Sequence, residues 1–340
     1  MKLLNLAAAA IIGVAAAAAT STAAFAAGHA VKPAVVYDMG GKFDKSFNEG
    51  VYNGVKKFSD ETGIEVMEFE VTSETQREQA LRRMAERGAT VVLGVGFAQA
   101  DAMAKVAAEF PDTKFSIIDV TWLDAPNLRQ YGFKEHEGSY LVGVAAALAS
   151  ETDKVGFVGG MDIPLISHFA CGYVQGVKAT NPDAEVFQNM TGVEPSAWND
   201  PAKGAELTQS QIDRGADVVY HAAGGTGVGV IRAAADAGKL AIGVDSNQNG
   251  MAPGSVLTSM LKRVDVAAYE TFKDAASGEF DTGVRVLGVA EGGVDWALDE
   301  NNAELITPEI KAAVEAAKAG IISGDIQVAE FYTNNSCPVE

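Results

Sequence analysis

Short acceptors and glycine turns recur directly after apolar runs in this chain: Asp38, Gly96-Phe97, Asp119, Gly159-Gly160, Gly224-Gly225-Thr226-Gly227 and Asp245. A carboxylate at such a place accepts hydrogen bonds from a polar ligand, and a glycine turn that opens a helix offers free N–H groups at a positive dipole end. Any one of them reads equally as a loop cap, so the signal is their recurrence at equivalent places. The fullest example is the stretch from Val35 to Gly50, Val-Val-Tyr-Asp-Met-Gly-Gly-Lys-Phe-Asp-Lys-Ser-Phe-Asn-Glu-Gly. A β-branched run ends at Asp38, passes a glycine turn and meets Asp44 and Ser46, either of which caps the apolar-periodic segment Phe47, Val51, Val55, Phe58. Phe47 falls in the first helical turn, facing either the core or the crevice at the strand ends, where open α/β sheets bind ligands.

Enzyme chemistry finds little support in the motifs. Gly225-Thr226-Gly227-Val228-Gly229-Val230, with Asp245 further on, approaches a dinucleotide fingerprint, but Val230 stands where a third glycine is needed for close helix packing. No GxSxG elbow and no HExxH helix occurs. Asp295, Asp299, Glu300, Asn301 and Asn302 lack the spacing and the glycine of an EF-hand loop. His29, His136, His168 and His221 have no metal-ligand spacing, so no metal and no cofactor is expected.

The elements that must position these residues alternate along the chain. Strands read at 64–71, 89–95, 115–119, 154–159, 185–190, 217–221, 240–245 and 285–289, with helices at 74–87, 99–109, 138–150, 165–178, 201–214, 228–237, 266–277 and 309–319. Such alternation predicts βαβ units and parallel sheets covered on both faces. Lys154 to Gly160 followed by a helix replays Pro33 to Gly41 followed by a helix. About 310 residues after a leader exceed a comfortable single core. Two similar lobes without a long linker predict a chain that crosses between them more than once, with a ligand in the cleft.

The N-terminus carries Lys2, an alanine-rich apolar run and Ala24-Phe25-Ala26, which reads as a secretory signal peptide cleaved after Ala26, with no cysteine there to carry a lipid. An exported, periplasmic protein is expected. Loss of Lys2 takes the formal charge from −19 to −20, which argues against nucleic acid or an anionic membrane surface as a partner. Cys171 and Cys337 lie far apart; in an oxidising compartment a disulfide tying the C-terminal tail to the body and two free thiols both stand as readings.

Four segments together carry a family likeness: Asp44-Lys45-Ser46-Phe47-Asn48, the run from Gly132 to Leu141, Ala223-Gly224-Gly225-Thr226-Gly227, and Gly243-Val244-Asp245. With Val256 to Lys262, which looks like a hinge strand, they resemble the basic membrane protein family of ABC-transporter substrate-binding proteins, in the same order over nearly all of the chain. The resemblance implies a type I periplasmic binding fold: two Rossmann-like lobes joined by three crossing segments, near 133–138, 257–262 and 289–293. It divides the chain into an N-terminal lobe of 27–135 plus about 260–290 and a C-terminal lobe of 136–259 plus about 291–340.

The same resemblance implies a non-enzymatic receptor, a monomer, that binds a purine nucleoside (adenosine, guanosine or inosine) and passes it to an ABC permease with its ATPase. Phe47 and Trp198 are implied as rings on the two faces of the base. Asp119 is implied as the reader of the base edge, and Asp245 with Lys262 as the pair that holds ribose hydroxyls. Asp38, Lys45, Ser46, Asn48, Phe97, Phe169, Gly224 and Gly225 complete the candidate shell. His168, after Pro164, either donates to the ligand or caps its turn. Ser246-Asn247-Gln248 departs from the acidic residue many relatives carry there. Riboflavin, a free purine base or a sugar would suit the same fold, and a nucleoside hydrolase is the rival of another class.

Overall fold

The computed structural model describes residues 31–333 and 335–339; the signal peptide and its cleavage after Ala26 lie outside them. The chain runs β1 (Pro33–Tyr37), α1 (Phe47–Thr62), β2 (Met67–Glu70), α2 (Arg77–Glu86), β3 (Val91–Gly94), α3 (Ala100–Glu109), β4 (Lys114–Ile118) and β5 (Leu128–Phe133). It continues through α4 (Glu135–Ala149), β6 (Lys154–Met161), α5 (Pro164–Thr180), β7 (Glu185–Gly192), α6 (Pro201–Asp213), β8 (Val218–Ala222), α7 (Gly227–Asp236), β9 (Leu240–Asp245) and β10 (Val256–Lys262). α8 (Val264–Ser277), β11 (Gly283–Leu287), β12 (Val294–Trp296) and α9 (Pro308–Ser323) follow.

Two six-stranded sheets result, ordered β2-β1-β3-β4-β5-β11 and β7-β6-β8-β9-β10-β12. All neighbours are parallel except β12, which runs antiparallel to β10. β1, β3 and β8 are buried along their whole length, as strands covered by helices on both faces must be. The chain passes from one sheet to the other three times: from β5 into α4 at Lys134, from β10 into α8 at Arg263, and from β11 to β12 through 288–293. α4 packs on α5, α9 and β10 of the second lobe, whereas α8 returns to α1, β3 and β4 of the first. This is the type I periplasmic binding fold.

Local chemistry explains how the elements seat. α1 buries Val51, Val55 and Phe58 on one face, and the Phe58 ring meets Phe272 of α8 at 5.7 Å. Truncation of such a buried ring to alanine costs about 3–5 kcal/mol. α4 and α5 touch backbone to backbone, because a Cβ on Gly172 would lie 2.3 Å from the His136 carbonyl. That contact carries His136 and His168 to the first crossing. Cys171 of α5 forms a disulfide with Cys337, and one turn on the Gln175 amide both donates to and accepts from the backbone of Ala329, at 3.0 and 2.9 Å. The C-terminal tail is thereby clasped to α5.

Two strands have no counterpart among the segments read from the sequence. β12 is three residues long. β5 is fully buried yet contains Arg129 and Gln130, which break its apolar run. The Arg129 guanidinium is neutralised within the fold by Asp274, at 2.8 Å, and by Asp281. A charge that reads as surface is therefore core.

Candidate ligand-binding cleft

The strand order reverses at β1/β3 in one sheet and β6/β8 in the other, and the loops after these strands face each other across a cleft. The cavity there encloses about 600 Å³, its open mouth included, and is lined from both lobes. Asp38, Phe47, Asn48, Phe97, Asp119, Phe169, Trp198, Gly224, Asp245 and Lys262 are all in its wall.

Asp44 builds the first-lobe side. Its buried carboxylate accepts from the N–H groups of Ser46 (2.8 Å), Asn48 (3.0 Å) and Glu49 (3.1 Å), so Asp44, not Ser46, caps α1. Burial nevertheless raises its pKa to about 6, against those hydrogen bonds. With the helix start fixed, Phe47 is held half-buried at the cleft, and the Asn48 amide accepts at 3.2 Å from the N–H of Asp38. The Asp38 carboxylate is raised by burial and held back by Arg77, whose Nε and Nη2 both lie 3.3 Å from Oδ1.

Trp198 closes the second-lobe side from the short helical turn Pro195–Trp198. Gly160 lies beneath it, and a Cβ at that position would fall 2.1 Å from the indole ring. The carbonyl of Ala197 accepts from the hydroxyls of Thr191 (3.1 Å) and Thr226 (2.7 Å), which fixes the backbone just before the ring. Gly225 backs the Trp198 carbonyl rather than the cavity, while Gly224 lines it.

Asp119 and Asp245 stand at corresponding strand ends, after β4 and at the end of β9, and both adopt left-handed backbone, with φ of 66° and 62°. Left-handed conformations are uncommon outside glycine and cluster at sites where the surrounding structure over-determines them. Lys262, at the end of β10, lies between: its Nζ is 2.7 Å from Asp119 Oδ1 and 3.0 Å from Glu135 Oε1. The rings of Phe47, Phe133 and Phe169 surround the ammonium at 5.2, 5.2 and 5.5 Å. Burial opposes its charge, and Asp119, Glu135 and Asp245 more than offset that, so its pKa is raised.

Burial lifts both aspartates to about 6, with Lys262 pulling each back down. Asp245 has no ion-pair partner among the described residues; its Oδ2 accepts from Ser46 Oγ at 2.5 Å. The contact pair is thus Lys262 with Asp119, and Lys262 acts on Asp245 through space. At neutral pH this leaves a desolvated patch with more carboxylates than cations, which attracts O–H and N–H donors.

The model of the family described as ABC transporter substrate-binding protein PnrA-like, Bmp, matches residues 31–329. The chain belongs to that family. Its members are binding proteins of ABC transporters, not enzymes. Bmp relatives include the CD4+ T-cell-stimulating antigen of Listeria monocytogenes, 34% identical over a match 322 positions long that covers 87% of each chain. The ABC transporter nucleoside-binding protein BmpA of Lactococcus lactis is 33% identical, covering 88% of this chain and 89% of its own. Among solved structures, the ABC transporter solute-binding protein of Aeropyrum pernix superposes with a TM-score of 0.81 at 29% identity, covering 87% of this chain and 92% of its own.

Within this Bmp chain not every candidate meets the cavity. Lys45 turns to solvent, where its ammonium pairs with Glu49 at 3.1 Å. Ser46 is fully buried against Asp245. His168 neither caps a turn, since α5 starts at Pro164 with no side-chain cap, nor lines the cleft. It is buried beside it, stacked on His136 at 4.3 Å. Glu135 and Arg77 were not singled out from the sequence. An acidic residue in a first helical turn reads as a dipole partner, and nothing local links Arg77 to Asp38.

Proposed function

We propose that this chain is an exported, monomeric receptor that binds a purine nucleoside in the interlobe cleft and delivers it to an ABC permease and its ATPase. The observation that carries this reading is the conjunction of Phe47 and Trp198, aromatic rings from opposite lobes, with the Asp119, Lys262 and Asp245 constellation in one cavity. Rings on the two faces of a base supply affinity with little discrimination. Asp119, next to Lys262, accepts from the base edge, and Asp245 accepts from ribose hydroxyls. The Lactococcus lactis relative, named for nucleoside binding, supports the ligand class. The Pyrococcus furiosus relative named as a lipoprotein supports export. Closure favoured by ligand would present both lobes to the permease together.

The test is a thermal-shift and calorimetry series with adenosine, guanosine, inosine, cytidine, uridine, riboflavin and ribose. A ligand at a hundred times its Kd stabilises the fold by about 2.7 kcal/mol. Purine nucleosides are expected to raise Tm, and Phe47→Ala and Trp198→Ala each to weaken them by about fivefold to a hundredfold. A response to riboflavin alone or ribose alone sinks the purine reading.

A further inference from the structure

A second, larger cavity adjoins the cleft on the side of the first crossing. It encloses about 1270 Å³ with its mouth included, roughly twice the cleft cavity on the same measure, and shares Phe97, Asp119 and Leu165 with it as wall residues. Both lobes and the tail furnish its apolar surfaces: Trp122, Phe133 and Val286 from the first lobe, Leu165 from α5, and Tyr332 from the tail.

Its polar content is unusual. His136 and His168 are each 2% exposed, and the His168 and Tyr332 rings pack edge to face with centroids 4.4 Å apart. Among the described residues, His136 Nδ1 and both ring nitrogens of His168 have no hydrogen-bond partner, with Glu135 Oε2 3.7 Å from His168 Nδ1. Burial lowers the two pKa values to about 3 and 4, the neighbouring imidazole adding to the effect on His136 and Lys262 to that on His168, so both rings are neutral near pH 7. Unpartnered buried polar atoms are costly. These nitrogens are shut off from the cavity by the surrounding side chains, so the two rings lie behind a largely apolar wall without offering it a charge.

We propose that this chamber receives an apolar or aromatic substituent carried on the base edge of the ligand, so that the receptor takes base-substituted purine nucleosides as well as the parent compounds. The inference rests on the nucleoside reading above. Asp119 is the junction between the two cavities. An exocyclic amine bearing one substituent keeps one N–H to donate to Asp119 and sends the substituent past it. Trp122 and Tyr332 then bury that group between them. The neutral imidazoles behind the wall tolerate an apolar neighbour.

Calorimetry with adenosine, guanosine, N6-benzyladenosine and N2-benzylguanosine tests this on the mature full-length protein. Whichever parent binds, its benzyl derivative is expected to bind within about threefold of it or more tightly. Trp122→Ala, at a position 64% exposed and so harmless to folding, and Tyr332→Ala should each weaken the derivative at least fivefold and the parent less than twofold. A parent that binds while its derivative does not overturns the chamber proposal alone. So does a derivative indifferent to both substitutions. Failure of both parents overturns this inference, and failure of inosine as well overturns the nucleoside reading with it.

Discussion

Ser46 Oγ donates a 2.5 Å hydrogen bond to Asp245 Oδ2 across the cleft, joining the turn before α1 to the end of β9. Two further bonds tie the same segments: Ser246 Oγ donates to the Ser46 carbonyl at 2.8 Å and Gln248 Nε2 to the Lys45 carbonyl at 2.9 Å. Gln248 is itself fixed, its amide oxygen accepting from the N–H of Val244 and lying 2.9 Å from His221 Nε2. Together they form a latch that bridges the two lobes, and the latch shares Asp245 with the cavity wall.

A hydrogen bond to a charged group contributes about 1.5–3 kcal/mol. Ser46→Ala removes that bond and leaves a buried carboxylate one donor short, so the closed form becomes less populated and apparent affinity falls with it. Calorimetry should read a Kd weakened by roughly tenfold to a hundredfold, and small-angle scattering a larger radius of gyration for the ligand-free variant. Unchanged values for both would mean the latch carries no free energy.

Acidity acts on the same aspartate. Its folded-state pKa, about 6, stands above its ordinary value of 3.8, so between those two values the folded protein binds more protons than the unfolded chain. The charge penalty is therefore absent below about pH 4, grows as pH rises, and is complete above about pH 6; a shift of this size is about 3 kcal/mol. His136 and His168, held neutral, slope the opposite way, so the comparison must be between wild type and Asp245→Asn. Denaturation of the ligand-free proteins at pH 4, 5, 6 and 7 should show the variant gaining on wild type as pH rises. Ligand affinity of the wild type should fall as pH drops through 6, because the ionised carboxylate is the better acceptor. A stability difference that does not change with pH would place the Asp245 pKa near that of an ordinary aspartate.

How much of this was legible depends on whether the signal was local. The strand, turn and helix from Val35 to Phe58 carry their periodicity and their cap on adjacent residues, and so do Asp119 and Asp245 at the ends of apolar runs. Choosing between Asp44 and Ser46 as the cap needed coordinates, because Ser46 has a second partner 199 residues away. β5 stayed hidden because its Arg129 is paid for by Asp274, 145 residues on. Glu135, Arg77 and the chamber around Tyr332 exist only after three crossings and a clasped tail bring distant segments together.

The clasp leads to a last expectation. The Cys171–Cys337 bond closes 166 residues of chain, a length at which a cross-link that restricts the unfolded ensemble contributes up to about 5 kcal/mol. Cys337→Ser in otherwise intact protein should therefore lower the chemical-denaturation midpoint. Gln175 still holds Ala329 in that variant, but Tyr332 loses the anchor beyond it. Hydrogen exchange should consequently rise over 331–339 and stay unchanged in β4 and β9, leaving the parent nucleoside affinity intact. Exchange that rises equally in those strands would mean that the tail supports the cleft itself, and the chamber and the cleft would then be one cooperative unit.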